Sequence, residues 1–267
     1  MSENTGSTGT VTCSARSDVG LKRAVNEDSL LLGPPVWAVA DGMGGHAAGD
    51  VASAIVVETL QRTLTGLRGS LRPTDIKDAL RNANQRILAH QVDHPTTAGM
   101  GSTVAGLAQI TVGSAPHWAI FNVGDSRVYR CQQGQMARAT VDHSETEELI
   151  CAGQITPEEG RSHSRRNVIT RSLGSDPAPQ VDMWIRPQVP GERFLICSDG
   201  LTTEVDDDRI AQVLTTTGSA EDVVTTLLNL ALEHGGRDNI SIIIVDMGGD
   251  AAAEEHTQPR MRGSEGD

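Results

Sequence analysis

The chain has 267 residues, with 35 Asp and Glu against 22 Lys and Arg, for a formal net charge of −13. That length suits one large domain or two modest ones. No apolar run approaches the ~18 residues of a membrane span, the polar Met1–Thr12 stretch lacks the pattern of a secretory signal, and the acidic excess opposes binding to a nucleic-acid backbone. Charged residues at 21% mixed with 37% hydrophobic ones argue against global disorder. With two Phe, three Trp and one Tyr, the core has to rest on Val, Ile, Leu and Ala. Cys13, Cys131, Cys151 and Cys197 lack C-x-x-C spacing, which disfavours a zinc module or a disulfide scaffold and fits a reducing cytoplasm.

Residues 1–10 are rich in Ser, Thr, Gly and Asn, and 248–267 carry no apolar periodicity. Both ends read as loose, the second as a disordered tail, with one domain over 11–247 between them. Along that domain the β-type runs are Val36–Ala40, Ser102–Ile110, His117–Val123, Arg127–Cys131, Val181–Val189, Arg193–Ser198 and Ile240–Val245. Ala52, Ile55, Val56, Thr59, Leu60 and Leu64 fall on one face of a helix. Ile76, Leu80, Ala83, Ile87 and Leu88 form a second such face, opening after Pro73. Two later helices are expected at Asp206–Leu214 and Ser219–His234, the latter with a capping box from Ser219 and Asp222. Hairpin-like strand spacing and helices in consecutive pairs predict antiparallel sheets covered by helices, an α+β fold rather than a doubly wound parallel one.

The chemistry concentrates at strand ends. Val36–Ala40 runs into Asp41-Gly42, Phe194–Ser198 into Asp199-Gly200, and Ile120–Val123 through Gly124 into Asp125, while Asp238-Asn239 directly precedes Ile240–Val245. Asp is a poor strand residue. Taken singly, each reads as a turn former. Taken together, four carboxylates at one sheet edge would repel one another strongly, and hard divalent cations such as Mg²⁺ or Mn²⁺ resolve that repulsion. Gly42-x-Gly44-x-x-Ala47 after a strand also resembles a dinucleotide-binding fingerprint, but the second strand and its ribose-binding acid are missing, and Asp41 would face the pyrophosphate. A nucleotide-binding oxidoreductase is therefore the weaker competitor.

Ordered motifs run through nearly all of 11–247: Ser17-Asp18-Val19-Gly20-x-x-Arg23-x-x-Asn26-Glu27-Asp28, Asp41-Gly42-Met43-Gly44-Gly45-His46, Gly101-Ser102-Thr103, Val123-Gly124-Asp125-Ser126-Arg127, Asn167 to Gly174, Ser198-Asp199-Gly200-Leu201 and Gly236-Arg237-Asp238-Asn239-Ile240. In these the chain resembles the metal-dependent serine/threonine protein phosphatases of type 2C, in their bacterial form. The resemblance implies a four-layer αββα sandwich, two antiparallel sheets flanked by helix pairs, with a flap over about 142–176. It implies that Asp41 bridges two metals, that the Gly42 carbonyl binds one of them, and that Asp199 and Asp238 hold the other. Asp125 with Asp199 would form a third, weaker site, and Glu27 and Asp28 would hold metal-bound water. Arg23 would grip the substrate phosphate, and Asn239 would support the site.

Some family members carry a His two residues after the bridging Asp. Here that position is Met43, and the nearest His is His46, which could donate a proton, shape the pocket or cap the next helix. The flap carries acids first (Glu145, Glu147, Glu148, Glu158, Glu159) and bases after (Arg161, Arg165, Arg166, Arg171); it selects phosphopeptides or is a solvated helix pair. His143 and His163 read as surface residues. The resulting expectation is a Mg²⁺- or Mn²⁺-dependent phosphatase of phosphoserine and phosphothreonine proteins, monomeric and cytoplasmic, opposing a bacterial Ser/Thr kinase, with no nucleic-acid or membrane partner. A phosphatase-like binding module without activity is the second class, opposed by the complete set Arg23, Asp41, Asp199 and Asp238.

Overall fold

Apolar side chains alternate along the strands and sort the chain into four layers. A computed structural model describes residues 10–44, 48–67, 71–216 and 218–248. Apart from Thr10 and Gly248, the two loose ends expected from the sequence lie outside the described residues, as does His46. One sheet has the order β1 (Val11–Asp18), β11 (Ile240–Met247), β10 (Arg193–Cys197), β7 (Arg127–Gln132), β8 (Gln135–Arg138). The other runs β2 (Asp28–Leu31), β3 (Val36–Met43), β5 (Val104–Val112), β6 (Ala115–Val123), β9 (Asp182–Pro187), with the two-residue β4 (Gly101–Ser102) on the end of β3. Every pairing is antiparallel.

The period-two pattern assigns each face. Trp37, Val39, Ala105, Leu107, Trp118 and Ile120 point between the sheets, where they meet Val128, Phe194, Ile196, Ile243 and Val245. Their neighbours Val36, Ala38, Ala40, Val104, Phe121 and Val123 point the other way, onto α1 (Gly49–Leu64) and α2 (Pro73–Asp93). On the far side Leu195, Cys197, Ile242 and Ile244 meet α6 (Asp207–Thr215) and α7 (Ala220–His234), with the short α5 (Asp199–Thr202) alongside. The core is aliphatic, with Trp37, Trp118 and Phe194 gathered between the sheets. Trp118 makes edge contacts with Trp37 at 6.1 Å and with Phe194 of the opposite sheet at 5.5 Å, each contributing about 1 kcal/mol beyond simple burial. Glu192, fully enclosed, joins the sheets too: it accepts from Trp118 Nε1 at 3.0 Å and from Arg130 Nε at 2.6 Å.

The helices follow their sequence signals. Pro73 occupies the first turn of α2, and Ser219 with Asp222 forms the capping box of α7. Several elements differ from expectation. β1, β2 and β8 are polar or very short, so they lack the apolar alternation that marks a strand. The run expected at Ser102–Ile110 is broken at Thr103 into β4 and β5. β3 continues through Asp41 and Gly42 to Met43 because its partners β2 and β4 flank that end. The fingerprint reading of Gly42 to Ala47 is overturned: β3 lies in an antiparallel sheet and α1 leads to a second helix, so there is no βαβ crossover. Among the described residues no helix is long and apolar enough to cross a membrane.

Removing Glu192 leaves Arg130 Nε and the Trp118 indole without their acceptor. Glu192→Ala is therefore expected to lower the unfolding free energy by about 3 kcal/mol, measured by urea denaturation.

Candidate metal centre and phosphate clamp

Antiparallel register starts the site: Asp28 on β2 is paired directly with Asp41 on β3. Asp199 opens α5 where β10 ends, Asp125 sits in the turn between β6 and β7, and Asp238 precedes β11. These five side chains converge at one end of the sandwich. Asp125 is buried, and the other four are half-exposed, so they wall a cleft that stays open to solvent.

The electrostatics follow from that crowding. Burial, then the charges of Asp28, Asp199, Asp125 and Asp238, hold Asp41 well above the usual carboxylate range. Burial likewise raises Asp28 to about 7, against the hydroxyl bonds it receives from Ser241 and Ser198. Asp125 rises to about 8 through burial and the charge of Asp199, and Asp199 to about 6 through burial and the charge of Asp238. Two buried oxygens, Asp28 Oδ1 and Asp125 Oδ1, have no hydrogen-bond partner within the protein. Orphaned carboxylate oxygens in an acidic cleft are what a hard divalent cation requires. No three Asp, Glu, His or Cys side chains among the described residues cage an ion by themselves. An ion here takes further ligands from water and backbone, such as the Gly42 carbonyl, as Mg²⁺ commonly does.

The residues around the acids are there to hold them. Ser198 Oγ donates to Asp28 Oδ2 at 2.8 Å, and Thr103 Oγ1 accepts the Asp41 amide at 3.3 Å. Gly42 lies so close to α1 that a Cβ there would stand 2.0 Å from the Gly49 carbonyl oxygen. Glu27 Oε1 accepts the Gly49 amide at the start of α1 at 3.2 Å, an N-terminal capping contact, while its Oε2 lies 4.0 Å from Arg23. Arg23 reaches in from the loop between β1 and β2, donating to Asp238 Oδ2 at 2.7 Å. That loop is tied down by Asn239, whose Oδ1 accepts the Glu27 amide at 2.8 Å while Nδ2 donates to the Val19 and Val25 carbonyls at 3.0 Å each. Gly20, at φ +76°, lets the loop pass over Asp238, where a Cβ would come within 2.2 Å of the carbonyl oxygen.

The sequence reading of His143 as a surface residue is wrong. It is 4% exposed: its Nδ1 accepts the Gly124 amide at 3.0 Å, and Nε2 lies 3.2 Å from Asp182. Those partners put the ring proton on Nε2. Burial lowers its pKa despite Asp182. His143 thus braces the turn carrying Asp125 against the base of the flap. It was missed because a lone His between two polar residues carries no period or spacing; the hydroxyls of Ser126 and Ser198 did have a signal, each lying beside a strand-end Asp. The flap itself folds as α3 (Glu145–Cys151) and α4 (Pro157–Ser162), with Arg165 paired to Glu145.

Residues 22–238 match the family model for protein phosphatase 2C, and the chain belongs to that family. It is 38% identical over 234 residues to the serine/threonine protein phosphatase PstP of Mycobacterium tuberculosis, a match covering 87% of this chain and 44% of that protein. It therefore spans less than half the length of that curated relative. It is 32% identical to the serine/threonine phosphatase Stp of Listeria welshimeri, covering 86% and 94% of the two chains. The crystal structure of the PstP catalytic domain with two manganese ions superposes with a TM-score of 0.81 at 34% identity, over 89% of this chain and 98% of that one.

The raised acids set a pH dependence for the metal-free protein. With folded pKa values of about 6 to 8 and unfolded values near 3.8, the folded state binds more protons than the unfolded state between those limits. Stability therefore falls as pH rises from about 4 to about 8. In EDTA the melting midpoint is expected to be lower at pH 8 than at pH 5.5, and Mn²⁺ should restore it at pH 8; differential scanning calorimetry checks both.

Proposed function

We propose that the protein is a Mn²⁺- or Mg²⁺-dependent phosphatase of phosphoserine and phosphothreonine proteins. The observation that carries this reading is the convergence of Asp28, Asp41, Asp125, Asp199 and Asp238, two with orphaned oxygens, beside the guanidinium of Arg23. In this reading Asp41, with the Gly42 carbonyl, Asp199 and Asp238, holds two ions, and Asp125 with Asp199 holds a third more weakly. Bound there, the ions supply ionisation of water near neutral pH and neutralise charge on the phosphoryl oxygens.

The chain's own residues do the rest. Arg23 leaves Asp238 for the substrate phosphate, fixing it with a charge-assisted fork. Asp28, held by Ser198, accepts hydrogen bonds from water at the cleft floor. Asn239 acts as a positioning residue, because its three bonds set where Arg23 stands. No cysteine is needed: Cys197, the nearest, is buried and its thiol is pushed far up by that burial. Substrates include a Ser/Thr kinase and its targets, and the protein works as a monomer in the cytoplasm, where its four free thiols stay reduced. The relatives' printed names and the two manganese ions of the PstP complex support this reading.

Hydrolysis of phosphothreonine peptides is expected to require added Mn²⁺ or Mg²⁺ and to stop in EDTA, with phosphotyrosine peptides poorer. Asp199→Asn and Asp238→Asn should each cost at least about a hundredfold in kcat; retention of wild-type rates by either variant would overturn the metal assignment. Asn239→Asp sets an oxygen against the Val19 and Val25 carbonyls. It is expected to raise KM for a small phosphate ester about tenfold while changing kcat less, measured by steady-state kinetics.

A further inference from the structure

A groove of about 590 Å³ leads from Asp125 and Asp199 outward between the flap and the start of α6. Its charges divide sharply into those already satisfied and those that are not. Arg127 grips Asp142, with contacts down to 2.6 Å, and Arg138 pairs with Glu147 at 2.6 Å. On the opposite wall Asp207 accepts from Tyr129 at 2.7 Å, Glu204 takes the Arg237 amide at 2.9 Å, and Asp206 caps α6. Arg161 and Arg166, both exposed on the flap wall, are different: among the described residues neither side chain makes a hydrogen bond or an ion pair. Two uncommitted guanidiniums thus line a groove that reaches Asp125 and Asp199 of the proposed metal centre.

We infer that Arg161 and Arg166 form a second anion subsite, which takes a carboxylate or a second phosphate located near the phosphorylated residue of the substrate. The inference rests on the phosphatase reading and narrows its substrates to phosphopeptides with acidic or multiply phosphorylated surroundings. Asp206 at the far wall disfavours the same anion at the other side of the groove, so the preference is directional along the peptide. Because neither arginine holds any part of the fold together, their replacement removes recognition without removing structure. The attraction acts through solvent and weakens with salt.

The test uses the Mn²⁺-loaded protein and four sets of phosphothreonine peptides: neutral neighbours, one Glu scanned through successive positions on each side, a second phosphothreonine in the same positions, and one Lys there. The expected result is a KM about fivefold lower for Glu at positions on one side than for the neutral peptide, the scale of two exposed ion pairs. The doubly phosphorylated arm shows whether phosphate serves better than carboxylate. Arg161→Gln/Arg166→Gln should bring these KM values up to that of the neutral peptide, leave kcat unchanged, and leave p-nitrophenyl phosphate hydrolysis at the wild-type rate. Equal KM for neutral and acidic peptides, an advantage for Lys, or an acidic advantage that survives in the double variant would each overturn the subsite. Fluorescence anisotropy of the same peptides reads the subsite without turnover. A protein that binds acidic peptides in preference but hydrolyses nothing would therefore count against the phosphatase reading and not against the subsite.

Discussion

Mutual repulsion among carboxylates is the constraint on which the rest of the structure turns. Two unit charges about 4 Å apart at a partly solvated site repel by on the order of 4 kcal/mol, and here five acids influence one another's ionisation. An unconstrained chain would splay them apart. This one fixes them on strand ends: Asp28 and Asp41 are cross-strand partners, while Asp199 and Asp238 border β10 and β11, which are paired along their length. The two sheets close over Trp118 and Phe194, so opening the acidic end would expose the inter-sheet core.

Around that centre the supporting residues divide their tasks. Ser198 and Thr103 orient the acids from within the sandwich. Asn239 and Glu27 fasten the loop that carries Arg23, and His143 fastens the Asp125 turn to the flap base. Proposed metal ligand and loop fastener are adjacent in the sequence, Asp238 and Asn239. The position of Arg23 is therefore referred to the same backbone segment that presents Asp238, and guanidinium and acids keep one frame.

Much of this was legible in the sequence, for definable reasons. Each core strand was found because its two faces are both apolar, as in Val36–Ala40 and Ile240–Val245, and each long helix because of its period or its cap. The Asp residues stood out because that residue type rarely ends an apolar strand. What was not legible depended on partners far away in the chain. β1 is polar, and is a strand because all eight of its residues pair with β11. His143 is buried because Gly124 and Asp182 come together around it. The contact of Glu27 with the Gly49 amide depends likewise on the approach of α1. Asn239, by contrast, was assigned to the site through resemblance, and the structure gives it three specific hydrogen bonds.

One consequence follows from the place of β11 in its sheet. It lies between β1 and β10, with seven of its eight residues buried. Backbone amides in such a strand exchange with solvent only through openings near the full unfolding free energy. Asp238 and Asn239 are thus anchored to a deeply buried central strand, whereas Arg161 sits on the six-residue α4 and Arg166 in the turn that follows it. The molecule has a stiff end, where geometry is set, and a compliant margin, where sequences of different shape can be accommodated without disturbing it.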